Sequence, residues 1–362
     1  MIFLPVFTTR KRPILIAGPC SAETEEQVLA TAKALVPQGI DLFRAGIWKP
    51  RTRPGTFEGA GIDGLHWLER VKEETGLRVT TEVARSEHVE AALKHNIDVL
   101  WIGARTSVNP FSVQEISDAL SGLDLPVLVK NPINADLELW IGAIERVYKA
   151  GIRRIAAVHR GFSKYGEKNY RNVPLWQIPM ELKRLFPTLQ IICDHSHICG
   201  RRETLAAVAQ RALDLNFDGL MTEVHPSPGD AWSDGRQQVT PEQYAEMAAR
   251  LIMRRPGTDD EQFWRDLDHL RQQIDEIDDE VFELLSSRMH LSKQIGGYKR
   301  QSNISIYQPT RWNRILERVL SKGKSLGLHE EFVSAVIDAI HQESIIHQAS
   351  VMNQTGEKTP KK

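Results

Sequence analysis

The chain has 362 residues, of which 41% are hydrophobic, and its formal net charge is −1. This balance gives no general attraction to nucleic acid or to anionic membranes, although basic residues can still cluster locally. Three cysteines are too few for a disulfide framework. The sequence contains no apolar run of about 18 residues, the length needed to span a membrane. We therefore expect a cytoplasmic protein with a free thiol at Cys20.

Short apolar segments alternate with helix-length segments from about residue 13 to residue 253. The eight segments are Ile14–Ala17, Asp41–Arg44, Arg78–Val83, Asp98–Ile102, Pro126–Lys130, Arg154–Val158, Leu189–Cys193 and Phe217–Thr222. Eight strand–helix units over about 240 residues predict an α/β fold, a (β/α)8 TIM barrel, for residues 1–253. The alternative is an open doubly wound sheet, which would place a glycine-rich phosphate loop after the first strand, and the sequence has none.

A linker and an all-α domain follow the predicted barrel. Residues 254–261 contain a Pro-Gly pair that breaks regular structure, and Thr258 or Asp259 is a candidate cap for the next helix. Residues 262–352 are predicted to form three helices. The lysine-rich tail, residues 353–362, is predicted to be disordered.

The first of these helices carries a seam whose positions are spaced alternately by four and three. The seam consists of Phe263, Leu267, Leu270, Ile274, Ile277, Val281, Leu284, Arg288, Leu291, Ile295 and Tyr298. Such a heptad pattern is typical of helices that pack along their length. The other two helices are predicted over Pro309–Ser325 and His329–Ser350. Because the first helix is much longer than they are, an intertwined dimer would bury its seam better than a monomer.

Basic side chains follow the predicted barrel strands, at the end where TIM barrels carry their active sites. They are Arg44, Lys49, Arg51, Arg105, Lys130 and Arg160. Any one of them is ordinarily a solvated surface charge, but six cations at one rim repel each other unless anions fill it. Two phosphates and a carboxylate would do so, through the forked donors of Arg and the point charge of Lys.

A second group at the same rim is suited to a metal ion. It consists of Cys20, His197, Glu223 and Asp234. One thiolate, one imidazole and two carboxylates suit Mn²⁺, Fe²⁺, Co²⁺ or Zn²⁺ and not a dedicated Mg²⁺ or Ca²⁺ cage. The four residues come from distant parts of the chain, so their spacing alone does not prove the site. A thiolate ligand predicts sensitivity to oxidation and to chelators.

Five motifs resemble those of 3-deoxy-D-arabino-heptulosonate 7-phosphate (DAHP) synthase, in the order of its short, barrel-only branch. They are Ala17–Glu23, Arg44–Thr52, Ile102–Arg105, Asp194–His197 and Glu223–Pro226. The resemblance covers roughly residues 13–253. It implies a metal-dependent condensation of phosphoenolpyruvate with erythrose 4-phosphate, which yields DAHP and phosphate.

The resemblance also implies roles for the rim residues, with the four metal-capable side chains holding the divalent ion. The phosphate of phosphoenolpyruvate would be held by Arg105, Lys130 and Arg160. Its carboxylate would contact Arg44 and Lys49, while Arg51 and Thr52 would contact erythrose 4-phosphate. Lys49 is a candidate general acid, since neighbouring cations make an ammonium group easier to deprotonate.

Two positions depart from the usual motifs of this family. Arg53 stands where the motif KPRTS has its serine, and His195 stands where the motif Asp-Pro-Ser-His has its proline. Both departures leave the proposed ligands intact. Arg53 either adds a phosphate contact or faces solvent, and the sequence leaves both open.

Arg288 lies on the seam of the first predicted helix, between two leucines. Its guanidinium either reaches out to solvent or meets an anion inside the bundle, because a buried unpaired charge is costly. At 1.5 Å per residue, Arg271 is roughly 26 Å from Arg288 and cannot grip the same small ligand. Arg271 must then serve a different site, or the same site in a partner chain. Lys299 lies about 16 Å from Arg288 along one face and can close on one molecule with it.

This domain resembles the all-helical chorismate mutase family over about residues 262–350. Six positions match functional residues of that family: Arg271, Arg288, Lys299, Arg311, Ser344 and Gln348. The resemblance implies that basic residues bind the two carboxylates of chorismate and that the first-helix Arg comes from the partner subunit of a homodimer. It also implies that Lys299 and Gln348 approach the ether oxygen, whose negative charge grows as prephenate forms.

Gln308 and Trp312 depart from this second family. Many of its members have acids at these positions, near the ring hydroxyl of the substrate. Trp312 offers only an indole N–H donor and cannot replace a carboxylate acceptor. Mutase activity is still expected because the cationic set is complete, but the orientation or turnover of the substrate can differ.

Alternative functions remain open for both domains. The barrel could be a related synthase that uses a longer sugar phosphate, or a Schiff-base aldolase that uses Lys130. The helical domain could be a binding module that senses chorismate or prephenate and inhibits the barrel without turnover. Sensing and turnover are compatible, so feedback between the two domains is expected if the ligand binds two conformational states unequally.

Overall fold

In the computed structural model, eight parallel strands form a closed barrel in chain order. The structure describes residues 1–8, 13–51, 55–254 and 257–353. The strands are β1 Ile14–Gly18, β2 Leu42–Arg44, β3 Val79–Val83, β4 Val99–Ile102, β5 Val127–Lys130, β6 Ile155–His159, β7 Gln190–Cys193 and β8 Gly219–Glu223. Each predicted strand is present within two residues of its expected bounds. The TIM-barrel prediction is therefore confirmed, because β1 pairs with β8 and leaves no open sheet edge.

Nine α-helices are found among the described residues of the barrel unit, Met1–Pro256. They are α1 Glu25–Leu35, α2 Ile62–Thr75, α3 Ser86–Lys94, α4 Pro110–Ala119, α5 Leu137–Lys149, α6 Gln177–Leu185, α7 His195–Cys199, α8 Leu205–Asp214 and α9 Pro241–Arg250. Local sequence sets several of their starts: Asn109 caps α4 before Pro110, and Thr240 forms a reciprocal capping box with Gln243 at α9. Their apolar faces cover the outside of the barrel.

The amino-terminal segment occupies the end of the barrel at which the strands begin. Val6 and Phe7 are buried in one apolar cluster with inward-facing strand residues such as Trp101. Gln190, the first residue of β7, accepts from the amides of Val6 and Phe7 at 2.8 and 3.1 Å and donates to the Phe7 carbonyl at 2.9 Å. Polar chemistry is thereby confined to the opposite end, where the strands finish.

The second unit, Gly257–Lys362, contains three helices among its described residues. They are α10 Glu261–Gln301, α11 Pro309–Ser325 and α12 Glu330–Met352. The predicted cap of the first helix was wrong: Asp260, not Thr258 or Asp259, accepts from two amides of the first turn of α10. No helix within the described ranges is long and apolar enough to cross a membrane.

The apolar residues of the heptad seam of α10 do not face α12, as those of an intrachain packing seam would, although the seam residue Arg288 contacts Ser344 of α12. Leu284 and Tyr298 are 71% and 73% exposed in the single chain. The face of α10 that packs against α12 instead contains Met289, Ser292 and Gly296, the buried residues of this helix. Small residues decide the contact, since a Cβ atom on Gly296 would lie 3.0 Å from the Cα atom of Gln348.

The close approach at Gly296 gives a stability prediction. We expect Gly296→Ala to lower the free energy of unfolding by up to about 2 kcal/mol, because overpacking costs about 1–3 kcal/mol and alanine regains about 1 kcal/mol of helix propensity. Gly297 is the matched control, since a Cβ atom there meets no described atom within 4 Å. Gly297→Ala should be neutral or stabilising. Calorimetric unfolding of the full chain measures both, and equal shifts in the two variants would contradict the packing argument.

Candidate active sites

A cavity of about 320 Å³ opens at the carboxyl ends of the barrel strands. Its charged lining consists of Lys49, Arg51, Glu82, Arg105, Arg160, Arg171, His197 and Asp234. Five of these eight side chains are cationic, so the cavity is suited to anionic ligands. The strand ends bring the side chains together because each loop of the barrel begins at the same face.

Four metal-capable side chains converge at this rim. One ligand atom each from Cys20, His197, Glu223 and Asp234 lies within 4.8 Å of the others. Cys20 follows β1, His197 lies in α7 after β7, Glu223 ends β8, and Asp234 lies in the next loop with a left-handed φ of +54°. The structure thus brings together the complete set predicted from the sequence.

Asp194 orients the imidazole of His197. The His197 Nδ1 atom lies 3.0 Å from Asp194 Oδ1, and the His197 Nε2 atom lies 3.6 Å from Glu223 Oε1, toward the other three side chains. Asp194 also accepts from Lys130 Nζ at 2.8 Å. Burial raises the pKa of Asp194, but His197 and Lys130 outweigh it and hold the pKa well below its usual value. The carboxylate is therefore ionised and fixes which imidazole nitrogen faces the cluster.

The chemistry of this cluster fits a cation at its centre. Burial, and then the charge of Glu223, raise the pKa of the Cys20 thiol far above its usual value. Glu223 Oε1 is buried with no hydrogen-bond donor among the described residues, although Arg44 forms an ion pair with it at 3.3 Å. A divalent ion would stabilise the thiolate and satisfy the carboxylate. The sulfur, nitrogen and two oxygen donors fit Mn²⁺, Fe²⁺, Co²⁺ or Zn²⁺.

Three arginines form the most positive part of the cavity. Burial, together with the nearby charges of Arg171 and Arg105, lowers the pKa of Arg160 to about 10, although Asp194 opposes this shift. Arg160 donates to Asn172 Oδ1 at 2.6 Å. Positive charge in such excess is suited to a phosphate group, which accepts several charge-assisted hydrogen bonds.

Arg171 was not identified from the sequence. It lies in the loop after β6 and forms an ion pair with Asp234 at 2.9 Å. In the sequence it is indistinguishable from a surface arginine, since no local pattern marks this loop. Glu82 of β3 was also missed; its carboxylate accepts from the indole of Trp101 at 3.1 Å.

Arg44 and Lys130 are buried and are not among the residues that line the cavity. Arg44 pairs with Glu223 and Lys130 with Asp194, and both cations lie over the ring of Trp101, at 4.9 and 5.4 Å from its centroid. Arg51 lines the cavity and donates to Thr56 at 3.0 Å. Thr52 and Arg53 lie outside the described residues, so the role of Arg53 stays open.

Asp194 gives a prediction about metal affinity. We expect Asp194→Asn to weaken metal binding about 10- to 100-fold, because an amide orients the imidazole less strongly and reduces the basicity of His197. Titration of the metal-free protein with Zn²⁺ or Co²⁺, followed calorimetrically, measures the change. Glu181→Asn is a control on the surface of α6, where the carboxylate pairs with Arg184 of the same helix. Unchanged affinity in the Asp194 variant would contradict the orienting role.

Four of the six predicted mutase residues meet between α10 and α12. Arg288 donates a short hydrogen bond to Ser344, and Lys299 Nζ donates to the Ile306 carbonyl at 2.6 Å. Burial lowers the pKa of both Arg288 and Lys299. Gln348 is buried, and its Oε1 atom has no donor among the described residues. The site is therefore cationic and offers unpaired polar groups.

The other two predicted residues lie apart from this group in the single chain. Arg271 is exposed on α10 and pairs with Asp268 of its own helix at 3.2 Å. Arg311 lines a shallow depression that also contains Gln308 and Arg314. Trp312 stacks on His341 at 3.9 Å between ring centroids. His341 was missed from the sequence, although it precedes Ser344 by three residues and therefore shares its helix face.

The two units thus combine a barrel with an anion-binding rim and a helical domain with a cationic pocket, as in an enzyme with two catalytic domains. The DAHP synthetase I family matches residues 7–254, and the chorismate mutase type II family matches residues 270–349. The chain belongs to the DAHP synthetase I family and carries a chorismate mutase type II domain at its carboxyl end. It is therefore a bifunctional shikimate-pathway enzyme with DAHP synthase and chorismate mutase activities.

Individual relatives agree with the barrel assignment. A phospho-2-dehydro-3-deoxyheptonate aldolase of Thermotoga maritima is 30% identical over 237 residues, which cover 66% of this chain and 68% of the relative. A crystal structure of DAHP synthase from Thermotoga maritima superposes with a TM-score of 0.61 at 28% identity, covering 68% and 71% of the two chains. A 2-dehydro-3-deoxyphosphooctonate aldolase of Syntrophotalea carbinolica is 28% identical over 62% of this chain and 84% of the relative.

Proposed function

We propose that the DAHP synthase reaction of this chain depends on a divalent metal ion held by Cys20, His197, Glu223 and Asp234. The observation that carries the proposal is the convergence of these four ligand atoms around an oxygen of Glu223 that has no hydrogen-bond donor within the described part of the chain. When bound, the ion supplies a Lewis acid that polarises the aldehyde of erythrose 4-phosphate. The ion is proposed to be Mn²⁺, Fe²⁺, Co²⁺ or Zn²⁺.

The cations of the rim position phosphoenolpyruvate in this proposal. Its phosphate is held by Arg105, Arg160 and Arg171, with Lys130 below them. Its carboxylate faces Arg44 and Lys49. The enol carbon bonds to the aldehyde carbon, water adds to the resulting cation, and the C–O bond to phosphate breaks.

Lys49 is proposed to supply the proton that the aldehyde oxygen takes up. Its Nζ atom lies 2.8 Å from both Cys20 Sγ and Ser21 Oγ, and 3.0 Å from Ser233 Oγ. These contacts hold the ammonium group beside the metal ligands, where charge develops on the aldehyde oxygen. A candidate general acid needs this kind of reach. Arg51 and Thr52 are proposed to contact the sugar phosphate.

Removal of the metal tests this function. Dialysis of the full chain against EDTA should abolish phosphoenolpyruvate consumption, and added Mn²⁺ or Zn²⁺ should restore it. A Schiff-base aldolase that uses Lys130 would survive EDTA and be trapped by borohydride. Because octulosonate aldolases are also similar to this chain, kcat/KM should be compared for erythrose 4-phosphate and arabinose 5-phosphate. A preference for the five-carbon sugar would favour the alternative.

For the helical domain, we propose that chorismate binds to Arg288, Lys299, Ser344 and Gln348. Arg311 closes the site, and Arg271 is contributed by the partner subunit of a homodimer. Arg288 and Lys299 bind the carboxylates. Lys299 and Gln348 donate to the ether oxygen as its bond breaks and prephenate forms. The burial of Gln348 beside these partly buried cations supports this arrangement. The rearrangement needs no nucleophile.

The exposed seam of α10 supports the proposed dimer. Ile277 is 58% exposed and lies among seam residues of similar exposure. Together they form a continuous apolar row, whereas exposed apolar residues on a monomer are usually scattered singly. We expect Ile277→Glu to convert a dimer to a monomer, because it places two charges in the paired seam. Light scattering after gel filtration measures the mass. Gln272→Glu adds the same charge on the polar side of the helix, and loss of the dimer there as well would contradict a seam-specific contact.

Feedback between the domains is the regulatory part of the proposal. Prephenate or chorismate bound in the helical domain lowers the condensation rate if it binds two conformational states unequally. The test is the condensation rate of the full chain over a titration of prephenate. An unchanged rate at saturating prephenate means that the sensing proposal is wrong. A chain that is inhibited but has no mutase turnover would instead be a sensing module.

A further inference from the structure

His341 is a half-buried residue that the proposed mutase site does not yet use. Its Nε2 atom is buried and has no hydrogen-bond partner among the described residues. One face of its ring is covered by the indole of Trp312, with the two rings nearly parallel at an angle of 17°. Burying a ring nitrogen without a partner costs free energy, so an unused acceptor or donor at a binding site points to a ligand group.

The position of His341 places it inside the cationic pocket. It lies one turn before Ser344 on the same face of α12, and Ser344 accepts from Arg288. The charges of Arg288 and Lys299 both act on its imidazole. The only other unpaired buried acceptor of this pocket among the described residues is Gln348 Oε1, seven residues further along α12, or roughly 10 Å away.

Chorismate carries one polar group that the assigned residues leave without a partner. Arg288 and Lys299 serve its carboxylates, and Lys299 and Gln348 serve its ether oxygen. The ring hydroxyl remains, and it needs an acceptor. Trp312 has only a donor and is occupied as a stacking partner, so it cannot supply one.

We propose that His341 binds the ring hydroxyl of chorismate through Nε2, with Trp312 as the wall that holds the imidazole in place. The inference rests on the proposed mutase site. The neutral imidazole carries its proton on Nδ1, and its Nε2 atom accepts a hydrogen bond from the ring hydroxyl. A histidine backed by an indole thus performs at this site the acceptor role that an acidic side chain could otherwise have.

The surroundings of His341 keep it neutral. Burial and the charges of Arg288 and Lys299 on α10 lower its pKa, while Asp338 of α12 opposes them. From α11 it faces the uncharged ring of Trp312, and the ring of Tyr307 lies 6.3 Å away. Because the folded-state pKa is lowered, the acceptor is present at neutral pH and is lost only as pH falls through that lowered pKa.

The experiment compares chorismate with an analogue that lacks the ring hydroxyl, as substrates or as competing ligands of the full chain. The unaltered chain should prefer chorismate. His341→Leu should lower kcat/KM for chorismate about 10- to 100-fold, the range for an unsatisfied buried hydrogen bond, and leave the analogue nearly unchanged. His341→Gln, which keeps an acceptor, should regain part of the preference and lose the acid limb of the pH profile. His347→Leu, on the same helix, should change neither value.

The outcomes separate the inference from the function beneath it. Equal losses for both ligands in His341→Leu mean that the residue acts through packing, and the inference is wrong. If Arg288→Ala abolishes turnover but His341→Leu keeps the full preference, the mutase site stands and only His341 is overturned. A complete absence of turnover and of chorismate binding in the unaltered chain overturns both. Circular dichroism and calorimetric unfolding of the full chain report whether the helical domain of each variant is folded.

Discussion

Cys20→Ala is expected to remove the DAHP synthase activity while leaving the chorismate mutase activity unchanged. The thiol is buried with two carboxylates and one imidazole. Burial, and then the charge of Glu223, raise its pKa, so a bound divalent ion would stabilise the thiolate. Removing a group that only orients a metal ligand weakens metal binding by up to about 100-fold. Removing a ligand itself should therefore weaken metal binding by at least about 100-fold. The condensation rate should fall at least as far.

The control is another buried cysteine of the same barrel. Cys199 ends α7 and packs in the apolar core, and burial raises its pKa to about 11, so it stays a neutral thiol. Cys199→Ala should retain both activities. Metal content after dialysis and initial rates of phosphoenolpyruvate consumption are the measurements. A Cys20→Ala protein that keeps its metal and its rate would show that the thiol is not a ligand.

Arg288→Ala is expected to have the largest effect on the mutase activity. Removing one partner of a buried charged hydrogen bond costs about 2–5 kcal/mol, which corresponds to about 30- to 5,000-fold in kcat/KM. Arg288 is partly buried and held by Ser344, so it is placed to meet a carboxylate with little further ordering. Prephenate formation from chorismate is the measurement.

Two comparisons make the Arg288 result specific. Arg265→Ala removes an exposed arginine from the same helix, where it pairs with Glu261 and has no substrate role in this proposal, and should leave turnover intact. In the absence of prephenate, the condensation rate of Arg288→Ala should equal that of the unaltered chain. If prephenate inhibits condensation through this pocket, the inhibition should disappear in the variant. Normal mutase turnover in Arg288→Ala would exclude the site assignment.

The sequence by itself determined the barrel and the members of its metal-capable cluster. Eight apolar segments with helices between them leave few topologies other than a closed barrel, and in that topology every strand end reaches one face. The side chains of Cys20, Glu223 and His197 therefore meet, although they are far apart along the chain. The bounds of α11 were also predicted correctly. Pro309 begins the helix, and the helical spacing of its apolar residues ends before Leu326.

Only the tertiary structure decided which side chains hold these groups in place. Asp194 faces His197 and Lys130, and Arg171 faces Asp234, through contacts between loops whose conformations no periodic pattern encodes. In the helical domain, the heptad pattern correctly marks an apolar face of α10. It does not say which face meets α12, because that contact depends on helix rotation and on how closely two backbones approach at Gly296. The same rotation brings Trp312 against His341, and a one-dimensional pattern carries no information about such a pair.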